Sequence, residues 1–155
     1  MDPHILIRID EQRLYLIRNG RVFKRYPVST SRYGKGNLMG SQKTPVGLHR
    51  ICGKIGRGFG KWAVFKDRRF TGEFWDGKSA FGDLVLSRIL ALAGMEKGVN
   101  KGGNRDSRKR YIYIHGTNHE KTVGKPVSHG CITMKNSHVM DLYKRVRKGT
   151  HVLIR

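Results

Sequence analysis

The sequence predicts a mainly β single domain with two short helices. Three observations carry that prediction. Short apolar runs alternate with polar residues through the first half, at the two-residue period of strands. An Asn19-Gly20 pair separates two such runs, a strong local hairpin signal. The chain has 155 residues with neither an internal repeat nor a linker-like segment, so residues 1–155 read as one domain.

The elements follow in order. Ile5, Ile7 and Ile9 alternate with Leu6 and Arg8 as a first strand, and Leu14 to Ile17 and Val22 to Tyr26 flank the Asn-Gly turn. Ser29 to Gly40 is rich in Ser, Gly and Tyr and reads as a loop. Thr44 to Leu48 is a turn into a strand that ends near Ile51. Cys52 to Gly60, with glycines at 53, 56, 58 and 60, is a flexible basic loop. It lacks the third glycine of a dinucleotide fingerprint and the Gly-Lys-Ser/Thr of a phosphate loop. Asp83 to Ala93 reads as the first helix, with Val85, Ile89 and Leu92 on one face and Gly94 as its stop. Tyr111 to Ile114 is a strand running into His115. Asn136 or Ser137 caps a second helix, whose buried stripe is Val139, Met140, Leu142, Tyr143 and Val146. His151 to Ile154 is the last strand.

The formal net charge is +21, from 32 Lys and Arg against 11 Asp and Glu. Such a surplus favours anionic partners. No zinc-finger spacing, RNA-binding aromatic motif or basic region with heptads is present, so a nucleic-acid partner is not expected. The apolar run from Leu84 to Ala93 is broken by Ser87 and Arg88 and is far short of the roughly 20 residues of a membrane span. Met1-Asp2-Pro3-His4 opens neither a basic nor a long apolar region, so no secretory leader is expected in this chain. Two cysteines, Cys52 and Cys131, exclude a disulfide framework.

One segment carries chemistry: Ser128-His129-Gly130-Cys131-Ile132. A cysteine is a nucleophile as its thiolate, and a neighbouring imidazolium in a basic surround stabilises that anion. The expectation is therefore a thiol pKa well below that of a free cysteine. Gly130 removes a side chain beside the sulfur, which lets backbone N–H groups approach a tetrahedral oxyanion. His115-Gly116-Thr117, at the end of a predicted strand, supplies a candidate base, and the Gly116 carbonyl or another backbone oxygen would set its tautomer. Cys52 has ordinary surroundings and reads as a small packing residue. A zinc site from His115, His119, His129 and Cys131 matches no common ligand spacing, so neither metal nor cofactor is expected. His4, His49, His138 and His151 read as surface or packing residues.

Tyr113-Ile114-His115-Gly116-Thr117, then Gly124-Lys125, then Ser128-His129-Gly130-Cys131-Ile132 and Met134, resembles the catalytic domain of the L,D-transpeptidases, the YkuD-type family. Leu14-Tyr15-Leu16, the Asn19-Gly20 turn, Pro27-Val28-Ser29-Thr30 and Lys43-Thr44-Pro45-Val46-Gly47 resemble its opening β-region, so the likeness covers nearly the whole chain. It implies a β-sandwich-like fold and a cysteine acyltransferase of peptidoglycan and cell-wall biogenesis, with a role in cell shape. Cleavage would fall after residue 3 of a tetrapeptide stem, and the acyl group would pass from a Cys131 thioester to an amine. In that reading Cys131 is the nucleophile, His115 the base and Gly116 the carbonyl that orients it. Ser128, His129 and Gly130 build the turn and the oxyanion site.

The resemblance also implies covalent adducts with carbapenems, a monomer, and a periplasmic or envelope location. The charge suits anionic polymers attached to the wall. Thr133 stands where relatives commonly have arginine, and His138 where they often have an acid. Two alternatives differ in outcome. An L,D-carboxypeptidase would pass the acyl group to water, as a hydrolase. A basic polyanion-binding module would hold Cys131 inert.

Overall fold

The structure, a computed structural model, describes residues 2–155. Asn19 and Gly20 have φ values of 53° and 74°, the left-handed pair that a two-residue hairpin turn needs. They join β2 (Arg13–Arg18) to β3 (Arg21–Pro27). β1 (His4–Arg8) pairs antiparallel with β2. Its other edge lies parallel to the last strand, His151–Ile154, with Ile5 opposite Val152 and Ile7 opposite Ile154. The alternation read from the sequence is the alternation of burial: Ile5, Ile7, Leu14, Leu16, Val152 and Ile154 are fully buried on one face.

β4 (Gly47–Ile55), β5 (Ala63–Lys66) and β6 (Arg69–Phe74) continue the sheet. β7 (Val85–Gly94) is its branch point: it pairs with β4, with β5 and with β8 (Tyr113–Gly116). β8 in turn lies parallel to β9 (Ile132–Met134), and α1 (Asn136–Arg145) follows before β10 (His151–Ile154). All ten strands belong to one mixed sheet. The mainly β expectation holds.

Two segments differ from the sequence reading. Residues 83–93 are not a helix: Val85–Gly94 is the longest strand, and only one α-helix is present among the described residues. The helical stripe of Val85, Ile89 and Leu92 arises because this strand is buried on both faces, so it is apolar at nearly every position and carries no two-residue alternation. A bulge between Leu86 and Ile89, with Ser87 at φ 70°, disturbs the pattern further. Gly94 is no helix stop. A Cβ there would lie 2.0 Å from the Asn100 backbone oxygen, so the position must be glycine for packing. Cys52 to Ile55 belongs to β4 and not to a loop, with Gly53 across from Ala91.

The core lies between the sheet and α1. Ile114 of β8 and Ile132 of β9 are paired and fully buried in it, with Met134, Val139 and Leu142. Each such side chain contributes about 1.5–3 kcal/mol by leaving water. Burial of alternate residues on β8 and β9 turns the intervening ones, Tyr113, His115 and Thr133, to the opposite face. The cap of α1 also differs from expectation. Lys135 is the N-cap and makes no side-chain cap bond. The carboxylate of Glu120 caps the helix from another segment, accepting the Asn136 N–H at 2.8 Å.

Candidate active site

Parallel pairing of β8 with β9 sets His115 opposite Thr133, just past Cys131 in the chain, on the face away from the core. His115, Ser128, His129, Cys131 and Thr133 line one cavity of about 160 Å³, together with Asp83, Leu84, Val85, Thr117, His119 and Val127.

His115 is buried, and its Nδ1 lies 2.7 Å from the Gly116 carbonyl. A carbonyl only accepts, so Nδ1 carries the proton and Nε2 is left with a lone pair. Burial pushes the imidazole pKa down, and the Gly116 carbonyl and Asp83 oppose this less strongly. His115 is therefore a neutral ring in a fixed tautomer.

The Cys131 sulfur accepts the Tyr113 N–H at 3.4 Å and points toward the Tyr111 carbonyl at 3.5 Å. Burial pushes the thiol up to about 11, against the smaller opposing effects of the Tyr113 N–H and the Arg110 charge. This corrects the expectation of a depressed thiol pKa. The nearby His115 imidazole is neutral because it is buried, and His129 Nδ1 is engaged 3.1 Å from Asp83. The resting pair is thiol and imidazole, not thiolate and imidazolium. Alkylation of Cys131 by iodoacetamide, followed by intact mass, is accordingly expected to accelerate steadily from pH 7 to 10. A plateau near neutral pH would instead demonstrate an ion pair.

Ser128 ties the turn together. Its Oγ donates to the Cys131 carbonyl at 2.7 Å and receives the Gly130 N–H at 3.3 Å. Gly130 has φ 126°, a conformation that a side chain would strain. Its carbonyl accepts from Thr44 Oγ1 at 3.0 Å, which anchors the turn to the segment before β4.

The structure joins further residues to the site. The Asn136 carboxamide accepts from Ser87 Oγ at 2.7 Å and donates to the Thr117 carbonyl at 2.8 Å and to Glu120 at 3.0 Å. It lies directly against Gly116. Asn118 holds the cavity rim by accepting from the Leu84 N–H and donating to the Gly82 carbonyl, both at 3.0 Å. Asp83 spans His119 and His129, at 3.0 and 3.1 Å. Arg110 donates to the carbonyls of Gly36 and Lys43 while its charge acts on Cys131. Asn118 sits beside the His-Gly-Thr motif, but nothing local announces Ser87 or Glu120, which arrive by folding. Among the described residues, no three His, Cys, Asp or Glu side chains converge on a point that could hold a metal ion.

The profile of the L,D-transpeptidase catalytic domain, YkuD, matches residues 2–154. The chain belongs to this family. YkuD of Bacillus subtilis strain 168, named as a candidate L,D-transpeptidase, is 28% identical over 151 residues, covering 97% of this chain and 65% of the relative. The L,D-transpeptidase LdtMt1, solved in complex with imipenem, superposes with a TM-score of 0.60 at 18% identity, over 99% of this chain and 58% of that one. L,D-transpeptidase 3 of Mycobacterium tuberculosis, solved with a faropenem-derived adduct, gives 0.52 at 17% identity, over 99% and 60%. The chain thus spans less than two thirds of the length of these L,D-transpeptidases.

Proposed function

We propose that this L,D-transpeptidase domain is a cysteine acyltransferase that cleaves peptidoglycan tetrapeptide stems after residue 3. The observation that carries the reading is the Nδ1–H bond of His115 to the Gly116 carbonyl. It leaves Nε2 as a base in the cavity that Cys131 also lines. As the Cys131 sulfur attacks the carbonyl of residue 3, its proton passes to His115 Nε2. The Cys131 backbone amide, beside the bare Gly130 α-carbon, receives the oxyanion. The tetrahedral intermediate collapses, His115 protonates the departing amine of the terminal residue, and a thioester remains on Cys131. An acceptor amine then attacks the thioester and gives its proton to His115. The sulfur leaves and takes that proton back. With water as acceptor the same steps hydrolyse the stem, which is the carboxypeptidase alternative.

A neutral thiol and a neutral imidazole suit this sequence, because the proton moves only when the carbonyl is in place. Ser128 and His129 support the turn and the cavity wall. The substrate class sets the site of action in the cell envelope. Among the described residues, no helix is long and apolar enough to cross a membrane.

Two measurements test the reading. Incubation with tetrapeptide muropeptides, followed by mass spectrometry, identifies donor, acceptor and product together. Imipenem should add covalently at Cys131, giving one adduct by intact mass that is absent from Cys131→Ala. A protein that forms no adduct and leaves the tetrapeptide untouched would favour the inert-cysteine alternative.

A further inference from the structure

A second cavity, of about 610 Å³, lies where α1 meets β4 and β7. It is lined by Lys54, Arg57, Arg88, Met140, Tyr143 and Lys144, and shares no residue with the Cys131 cavity. Four of its six walls are cations, and none is a carboxylate. Among the described residues, the ion pairs engage Arg8, Lys24, Arg145, Arg147, His119 and His129, and none of these four cations. The contrast with other surface hollows is plain. The cavity beside β1 and β10 contains Asp2, which pairs with Arg147, and the one beside Arg8 contains Asp10. The acid that α1 does carry, Asp141, faces elsewhere, toward Tyr26 Oη at 2.5 Å, Arg145 at 3.1 Å and Lys24 at 3.5 Å.

Two of the four cations are fixed. Lys54 Nζ donates to the Tyr143 and Val146 carbonyls, each at 2.7 Å, and stands 4.1 Å from the Tyr143 ring centroid. Arg88 Nη1 donates to the Ser87 and Phe59 carbonyls at 2.7 and 2.8 Å, with its guanidinium 5.4 Å from the same ring. Carbonyl dipoles orient these charges without neutralising them. Burial lowers both pKa values, and Arg57 lowers that of Lys54 further. Arg57 and Lys144 make no side-chain hydrogen bond among the described residues and are free to close on a ligand. Gathering like charges costs energy, and an anion seated among them removes that cost.

We propose that this cavity binds the phosphate groups of a base-free phosphate polymer, of the polyol-phosphate kind. Guanidinium forks with mobile ammonium groups match phosphate oxygens. Nucleic acid fits less well, because binding of single strands uses exposed aromatic faces for stacking. Tyr143 is only 9% exposed and both fixed cations lie against its ring. The site gives part of the +21 surplus a specific partner, and it does not rest on the transpeptidase reading.

The test is binding of a fluorescent poly(glycerol phosphate) oligomer at fixed ionic strength, measured by anisotropy. Arg57→Ala/Lys144→Ala should raise Kd about tenfold or more, since removing even one charged hydrogen bond to a phosphate oxygen costs a factor of roughly that order. Lys35→Ala/Lys109→Ala removes equal charge outside the cavity and should change Kd less than about threefold. Equal weakening by both pairs would show diffuse attraction and overturn the site. Single-stranded DNA bound as tightly through Arg57 and Lys144 would overturn the base-free ligand. Inorganic phosphate competing as well as the polymer, group for group, would reduce the proposal to free phosphate. Iodoacetamide alkylation of Cys131 should proceed at the wild-type rate in both double variants, which separates loss of this site from loss of fold or of the catalytic reading.

Discussion

Cys131→Ala is expected to reduce turnover of a tetrapeptide donor to background, a loss on the order of 10³-fold or more. Cys52→Ala should remain within about twofold of wild type. The difference follows from where each sulfur stands. Cys131 Sγ sits in the His115 cavity with the Tyr113 N–H directed at it. Among the side chains that line this cavity, Cys131 carries the one sulfur. Cys52 lies on β4, half-buried, and lines no part of that cavity. Its loss removes one sulfur from a partly exposed strand position, a modest packing change. The measurement is product formation by mass spectrometry, with thermal melting as a check on folding. Residual turnover in Cys131→Ala within about tenfold of wild type would exclude a thioester.

The hairpins were legible because their signals are local. Asn19-Gly20 requires a left-handed pair whatever surrounds it, and Ile5 and Ile7 need one buried face whatever covers them. The Ser128–Cys131 turn and His115 stand out as motifs for a related reason: a candidate nucleophile and a candidate base come from a few residue types. β7 was not legible. Its burial on both faces is a property of the whole sheet, and no short window distinguishes Val85–Ala93 from an amphipathic helix once the bulge at Ser87 breaks the period.

The electrostatics of the site were hidden in the same way. From the sequence, a neighbouring imidazolium in a strongly basic surround suggests a stabilised thiolate. In the fold, desolvation outweighs that charge. His115 is neutral, Arg110 is turned to the carbonyls of Gly36 and Lys43, and His119 and His129 face Asp83. Net charge speaks to partners at long range; the protonation state of one buried sulfur is set within a few ångströms.

Gly116→Ala is expected to lower kcat about a hundredfold while leaving the protein folded. Gly116 does two things at once. Its carbonyl fixes the His115 tautomer, and its bare α-carbon lets the Asn136 carboxamide pack against β8. A Cβ there would lie 2.2 Å from Asn136 Oδ1 and 2.7 Å from the Leu86 carbonyl, both far inside contact distance. Neither can yield easily. Asn136 is held by Ser87, Thr117 and Glu120, and Leu86 is a ladder residue of β7. The strain is relieved by shifting the Gly116 backbone, which moves the acceptor away from His115 Nδ1. Overpacking of this kind costs about 1–3 kcal/mol of stability, which a domain of this size tolerates. A displacement of the base by about 1 Å costs roughly a hundredfold in rate. The split between the two effects is the check. Melting temperature should fall by a few degrees and KM should change little, while kcat collapses. A variant with wild-type kcat would show that the Gly116 carbonyl does not position the base, and would shift the search to another partner for His115 Nδ1.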